Sequence, residues 1–291
     1  MRLVLTLLAI AALSCGAQSS DPAPIATAQA SEPQFTSIEA LESAALKKDV
    51  PYVPTPPETV ARMLQLANVS RNDLVYDLGS GDGRIVIAAA KKGARGVGID
   101  IDPTRIMEAN ENAKAAGVTD RVKFIQGDLF TAEIHDATAV TLYLLRSVNL
   151  KLRPKLLSDL RPGTPIVSHD FDMGEWEPDT HERVNDDDVY LWIVPAKIDG
   201  TWRWTGADGR PRTARVEQSF QHFSGTAESG GERFDIRNGR IRGVEVSFEL
   251  ARDGDEKAPV TERYTGTLKD GRLQGTAEAN NRRGRWLAEH D

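Results

Sequence analysis

The sequence predicts an α/β chain, with a doubly wound, mainly parallel sheet followed by a small C-terminal all-β domain. Three observations carry that prediction. Between residues 55 and 195, short apolar runs alternate with amphipathic helical patterns, as they do where helices connect parallel strands. The first strand-to-helix corner carries Asp77-Leu78-Gly79-Ser80-Gly81-Asp82-Gly83-Arg84, a glycine turn of the kind that receives a nucleotide. After Pro195 the helical period stops, and Gly, Thr and Arg alternate with apolar residues.

The chain of 291 residues opens on Met1-Arg2 and an almost wholly apolar run at residues 3–13. That run is shorter than the roughly 20 residues of a membrane helix. Residues 1–17 therefore read as a signal peptide or a lipoprotein leader. In the lipoprotein reading Cys15, the only cysteine, carries the lipid and is the sole membrane contact. Ala28-Gln29-Ala30 offers a second cleavage point. Either reading exports the protein, to a periplasm or a membrane surface. One cysteine leaves no disulfide framework. Residues 18–34, rich in Ala, Ser and Pro, read as a disordered linker. A net charge of −7, with no Lys/Arg-rich run, argues against a nucleic-acid partner.

The α/β domain is expected over residues 35–196. Ile38, Leu41, Ala45 and Leu46 give residues 35–48 a helical period. Four prolines then keep residues 50–57 extended. Thr55 reads as the N-cap of a helix through Leu66, with Pro56 at its first position. Tyr52 to Thr55 reads as a rigid cover for a ligand.

Residues 74–76 form a strand closed by Asp77, and Arg84 opens a helix over residues 85–90. A dinucleotide turn needs Gly-x-Gly-x-x-Gly. Here the third glycine, Gly83, comes one residue early and Arg84 takes its place. Two carboxylates, Asp77 and Asp82, also oppose a pyrophosphate but favour a cationic ligand. S-adenosyl-L-methionine, with its sulfonium and amino groups, is such a ligand. Asp-x-Gly-x-Gly-x-Gly after a strand resembles the first motif of class I, Rossmann-like methyltransferases.

The next strand, residues 96–99, ends at Asp100 and Ile101. Asp100, about 20 residues beyond the glycines, is placed to accept hydrogen bonds from both ribose hydroxyls. Asp102 before Pro103 suits the cap of a helix ended by Gly117. Residues 122–125 form the third strand, before Gly127-Asp128-Leu129. The class resemblance implies that Asp128 meets the adenine amino group and Leu129 the ring. A fourth strand is expected at residues 138–145, with Tyr143 near its end, and a helix at residues 150–160. Strand five, residues 165–168, precedes His169-Asp170-Phe171-Asp172, and a further strand covers residues 189–194. Ligands in such sheets bind beyond the C-terminal strand ends, where Asp77, Asp100, Asp128, Tyr143 and His169 fall.

A narrower likeness rests on Pro51-Tyr52-Val53-Pro54-Thr55, on the run from Asp77 to Val86, on Gly127-Asp128-Leu129 and on Val167-Ser168 ahead of Trp176. These resemble the lysine methyltransferases that modify the ATP synthase c-subunit, and their bacterial relatives, over residues 50–195. The resemblance implies N-methylation of a protein lysine or a small amine. It implies a cofactor, S-adenosyl-L-methionine, held by Tyr52, Thr55, Asp77, Gly79, Ser80, Gly81, Gly83, Asp100, Ile101, Asp128 and Leu129. An amine acceptor must lose a proton. His169 and Asp170 are the candidates to take it, and Tyr143 to orient the amine; no metal site is expected. The Asn/Asp-Pro-Pro-Tyr sequence of adenine and glutamine-amide methylation is missing, because Tyr143-Leu144-Leu145-Arg146 holds that place. Asp170, Asp172, Glu175, Glu177, Asp179 and residues 186–188 form an acidic flank that would attract a cation. A second reading is a non-catalytic envelope binding protein that keeps the pocket.

In residues 197–291, Asn238-Gly239, Asp270-Gly271 and Asp208-Gly209 predict hairpin turns in an antiparallel meander, sandwich or open barrel. Trp202, Trp204 and Trp286 are its expected core.

Overall fold

The computed structural model describes residues 53–206, 208–252, 259–279 and 282–291. The leader, the linker, the helix expected at residues 35–48, and Tyr52 lie outside the described residues.

The first part is built from α1 (Pro57–Leu66), β1 (Leu74–Leu78), α2 (Arg84–Lys91), β2 (Arg95–Asp100), α3 (Pro103–Ala115), β3 (Val122–Gln126), β4 (Ala139–Leu142), α4 (Arg146–Asp159), β5 (Pro165–His169), β6 (Thr180–Val184) and β7 (Asp187–Ile193). The strands make one sheet in the order β3-β2-β1-β4-β5-β7-β6. The first five run parallel; β7 is antiparallel to β5, and β6 to β7. Both faces of the central strands are covered, which is why β4 is buried at every position. One face packs Leu78, Leu142, Leu152 and Trp192 together; the other packs Met63, Leu64, Val75 and Ile85. Gly98 is required in β2, because a Cβ there would lie 2.5 Å from the Phe124 ring and 2.7 Å from Ser80 Oγ.

Several local expectations shift. Pro56, not Thr55, occupies the cap position of α1, and it supplies no side-chain bond. Asp102 does cap α3, accepting from the Thr104 amide at 2.9 Å. Strand β4 stops at Leu142, so Tyr143 lies just beyond it, and α4 begins four residues early and carries Pro154 inside. Strand β6 was not expected. Its sequence Thr-His-Glu-Arg-Val carries consecutive polar and charged residues and is exposed at alternate positions, as an edge strand tolerates and a loop also allows.

The second part is eight antiparallel strands: β8 (Gly200–Thr205), β9 (Pro211–Ser219), β10 (His222–Ser229), β11 (Glu232–Arg242), β12 (Glu245–Arg252), β13 (Val260–Lys269), β14 (Arg272–Ala279) and β15 (Arg282–His290). They form a closed barrel, not an open one, because β15 returns to pair with β8. Alternate residues point inward. Trp202, Trp204 and Trp286 are all buried, and Phe248 stacks on Tyr264 at 4.6 Å. The interior void is about 20 Å³, room for roughly one water. These aromatics are therefore a filled core, not a ligand platform. Asp270-Gly271 is a hairpin turn, with φ of 50° and 75°. Asn238-Gly239 is not. It is an irregularity inside β11, where the pairing shifts between Arg237 and Arg240. A Cβ on Gly239 would lie 2.1 Å from the Phe223 carbonyl oxygen, so that glycine serves a close approach of two strands.

One end of the barrel holds a buried charge pair. Arg212 is 2% and Glu262 5% exposed; Arg212 donates to Glu262 at 2.5 Å and to Asp208 at 3.0 Å, and the Tyr264 hydroxyl also donates to Glu262. Removing Glu262 leaves the buried Arg212 guanidinium with the partly exposed Asp208 as its remaining carboxylate partner. Glu262→Ala should lower unfolding free energy by about 3–5 kcal/mol, read from the urea midpoint; a change under about 1 kcal/mol would refute the account.

The barrel packs on the sheet beyond β5. Phe220 stacks on Trp176 at 6.1 Å and lies 5.0 Å from the Arg153 guanidinium. Arg240 donates to Asp179 at 2.9 Å, and Gln221 to the Glu177 carbonyl at 2.7 Å. The barrel thus braces the connection that leads from His169 to β6.

Candidate active site

The glycine turn is shaped by backbone. Gly79, Gly81 and Gly83 have φ of 84°, 51° and 78°, the left-handed region open to glycine. The amides of Gly79 and Ser80 both donate to the Ile99 carbonyl, at 2.8 and 3.0 Å. The Gly81 amide donates to Asp100 Oδ2 at 2.8 Å, and Asp100 Oδ1 accepts from the Asp102 amide at 2.9 Å. The turn is thereby tied to the end of β2.

The C-terminal strand ends line one crevice. Its wall contains Thr55, Asp77, Gly79, Ser80, Gly81, Asp100, Ile101, Asp128, Leu129 and Tyr143, which brings together nearly all the predicted residues. Gly83 lies at the cap of α2, its space closed by the Phe124 ring. Val53 and Pro54, from the expected cover, line the crevice too; Arg84, Asp102, Arg105, Leu144 and Val148 also line it and were not expected. Leu144 and Val148 look like core residues in sequence; both are buried and still border the crevice, Val148 because the helix starts at Arg146. Arg84 Nη1 donates to the Thr55 carbonyl at 2.9 Å, fastening residues 53–55 across the turn.

The donor set suits S-adenosyl-L-methionine. Ser80 Oγ is buried without a hydrogen-bond partner. Asp77, Asp100 and Asp128 offer acceptors to hydroxyl, amino and cationic groups, while Ile101, Leu129 and Leu144 offer apolar surface to a ring.

Asp77 sits at the floor, where burial pushes its carboxyl up to about 7, partly offset by the Thr141 hydroxyl donating at 2.7 Å; the Asp100 and Asp82 charges push the same way as burial. Between the ordinary value of 3.8 and this one, the folded chain keeps a proton that the unfolded chain has lost. Stability of the ligand-free protein should therefore fall as pH rises from about 4 to about 7. Asp77→Asn should flatten that slope in urea titrations, and an unchanged slope would contradict it.

At the far end, Tyr143 stacks on His169, with centroids 3.8 Å apart, and its hydroxyl donates weakly to Asp170 Oδ2 at 3.4 Å. Burial first, then the Asp170 charge, raises the Tyr143 phenol above its usual range. Asp170 has φ 61°, a left-handed conformation that bulky residues avoid; its Oδ1 accepts from the Asp188 amide at 3.0 Å. His169 is 1% exposed and stands behind Tyr143 rather than on the crevice wall, its Nδ1 3.1 Å from Thr55 Oγ1. Asp187 joins this group, with Oδ2 at 3.3 Å from His169 Nε2 and accepting from Thr59 at 2.6 Å. Sequence reading placed Asp187 only in an acidic flank. No local signal marks it, because the β6–β7 hairpin alone carries it back to β5.

Residues 77–180 match the family model described as the ANTKMT methyltransferase domain. A protein-lysine N-methyltransferase of Saccharolobus islandicus is 47% identical, over 50% of this chain and 94% of that protein. The mouse lysine N-methyltransferase of the ATP synthase c-subunit is 31% identical, over 63% of this chain and 71% of that protein. A crystal structure described as an RNA methyltransferase of Salinibacter ruber, in complex with S-adenosyl-L-homocysteine, is 62% identical. It aligns with a TM-score of 0.50 over 50% of this chain and 96% of that one.

Proposed function

We propose, from the premise that this chain belongs to the family of S-adenosyl-L-methionine-dependent protein-lysine N-methyltransferases, that it methylates the ε-amino group of a lysine in a protein. The observation that carries the acceptor is the acidic far end of the crevice. Tyr143 stands on the crevice wall and meets Asp170 just beyond it, with Asp187 behind. Such an edge attracts an ammonium and repels a phosphate backbone. That weighs against nucleic acid as acceptor, although the Salinibacter relative is described as an RNA methyltransferase.

The cofactor supplies a methyl group already activated by a sulfonium leaving group. The chain supplies alignment. The glycine turn and Asp100 would hold the ribose side of the cofactor, Asp128, Leu129 and Ile101 the adenine side, and Asp77 the cationic amino-acid end. Thr55, with Val53 and Pro54, borders the crevice on a further side. A lysine ammonium, with an ordinary pKa of roughly 10.4, must lose a proton before it attacks. Tyr143 orients the amine and Asp170 takes the proton toward solvent. His169 acts through Tyr143, whose ring it holds, and is a positioning residue.

The test is to incubate the full chain with methyl-labelled cofactor, protein extract and total RNA. Label on protein lysine, located by peptide mass spectrometry, supports the reading; label on RNA alone overturns it. Residues 1–17 support export, with Cys15 as the lipid anchor in the lipoprotein form. A mature mass retaining residues 1–17, from a cytosolic fraction, would refute export.

A further inference from the structure

We infer that His169, Asp170 and Asp187 form a binding site for a divalent cation of the zinc class, beside the methyl-transfer crevice. His169 Nε2, Asp170 Oδ2 and Asp187 Oδ2 lie within 4.8 Å of one another, brought together from the end of β5, the turn after it and the start of β7. His169 Nε2 is buried and has no hydrogen-bond partner, although both carboxylates lie near it.

The separations are informative. His181, which makes an ordinary contact with Asp188, sits 2.8 Å from its oxygen. His169 Nε2 is 3.3 Å from Asp187 and 3.5 Å from Asp170, long for a hydrogen bond. Two ligand atoms each about 2.0–2.1 Å from a tetrahedral zinc ion lie about 3.3–3.4 Å apart. Both histidine–carboxylate separations are close to the spacing of two ligands around such an ion.

Each ligand is also held from behind, as metal ligands are. Thr55 Oγ1 meets His169 Nδ1, which puts a hydrogen on Nδ1 when the hydroxyl accepts and leaves the Nε2 lone pair for the ion. Thr59 donates to Asp187 Oδ2, and the Asp188 amide to Asp170 Oδ1. The left-handed backbone of Asp170 turns its carboxylate back toward the histidine. One imidazole and two carboxylates leave a fourth position open, and the partial exposure of Asp170 and Asp187 gives a path of entry. The acceptor assignment above is not needed for this site.

The experiment is calorimetric titration of Zn²⁺ into the chelator-treated full chain, without cofactor or acceptor, with Co²⁺ visible absorption as a second readout. One equivalent should bind. Asp170→Asn and Asp187→Asn, partly exposed positions, should each weaken it about tenfold or more and weaken the cobalt bands, while S-adenosyl-L-homocysteine still binds as proof of folding. Absence of zinc binding, or binding that both variants leave unchanged, would overturn the site; the second result would assign the metal to another histidine or to Cys15.

Discussion

Asp100→Ala should lower affinity for S-adenosyl-L-methionine by about 10²- to 10⁴-fold, because two hydrogen bonds to a charged acceptor are lost at about 1.5–3 kcal/mol each. Two effects combine at this residue. Its carboxylate stands on the crevice wall, where ribose hydroxyls are expected. It also fixes the turn, through the Gly81 amide at 2.8 Å and the Asp102 amide at 2.9 Å. Asp100→Asn keeps one acceptor oxygen and should lose less. Calorimetry on both variants, with thermal unfolding as a control, decides the matter. Affinity within about threefold of the parent chain would remove Asp100 from the cofactor site.

Asp170→Asn should reduce kcat by about 10²-fold, the lower range for a lost proton acceptor, while cofactor affinity stays unchanged. Tyr143→Phe should act more on acceptor KM, since the phenol orients the amine and the ring still stacks on His169. Measured with chelator present, these effects separate from any metal at the same carboxylate. Raising pH should partly restore the Asp170→Asn rate, because free lysine amine then becomes commoner. A rate independent of pH in the variant, or a kcat equal to the parent's, would place the proton elsewhere.

The barrel bears on this chemistry indirectly. Its Phe220, Gln221 and Arg240 grip residues 176–179, in the same connection that begins with Asp170. Its buried charge cluster, Arg212 with Glu262, lies among barrel strands and serves their closure.

Much of the cofactor side was legible in the chain itself. Glycines at alternate positions after a strand state a backbone need that no other residue meets, so Gly79, Gly81 and Gly83 could be placed before any fold was known. Carboxylates at strand ends fall at a fixed edge once strands and helices alternate, which located Asp100 and Asp128. Inward tryptophans in alternating strands likewise marked the barrel core. The turn chemistry was less secure: Asp270-Gly271 turned a hairpin, while Asn238-Gly239 served a strand irregularity, since both uses ask for a left-handed residue beside a glycine.

The acceptor side was decided by tertiary structure. His169 reads in sequence as a group at the site, but Tyr143 and Thr55 cover it, and they come from segments 26 and 114 residues away. Asp187 became part of the cluster only because β6 and β7 fold back against β5. Closure of the barrel depended in the same way on β15 meeting β8. Local spacing fixes what a segment can do by its own backbone and side chains. Which distant side chains share its surroundings is fixed by strand pairing and packing, and no window of sequence contains those partners.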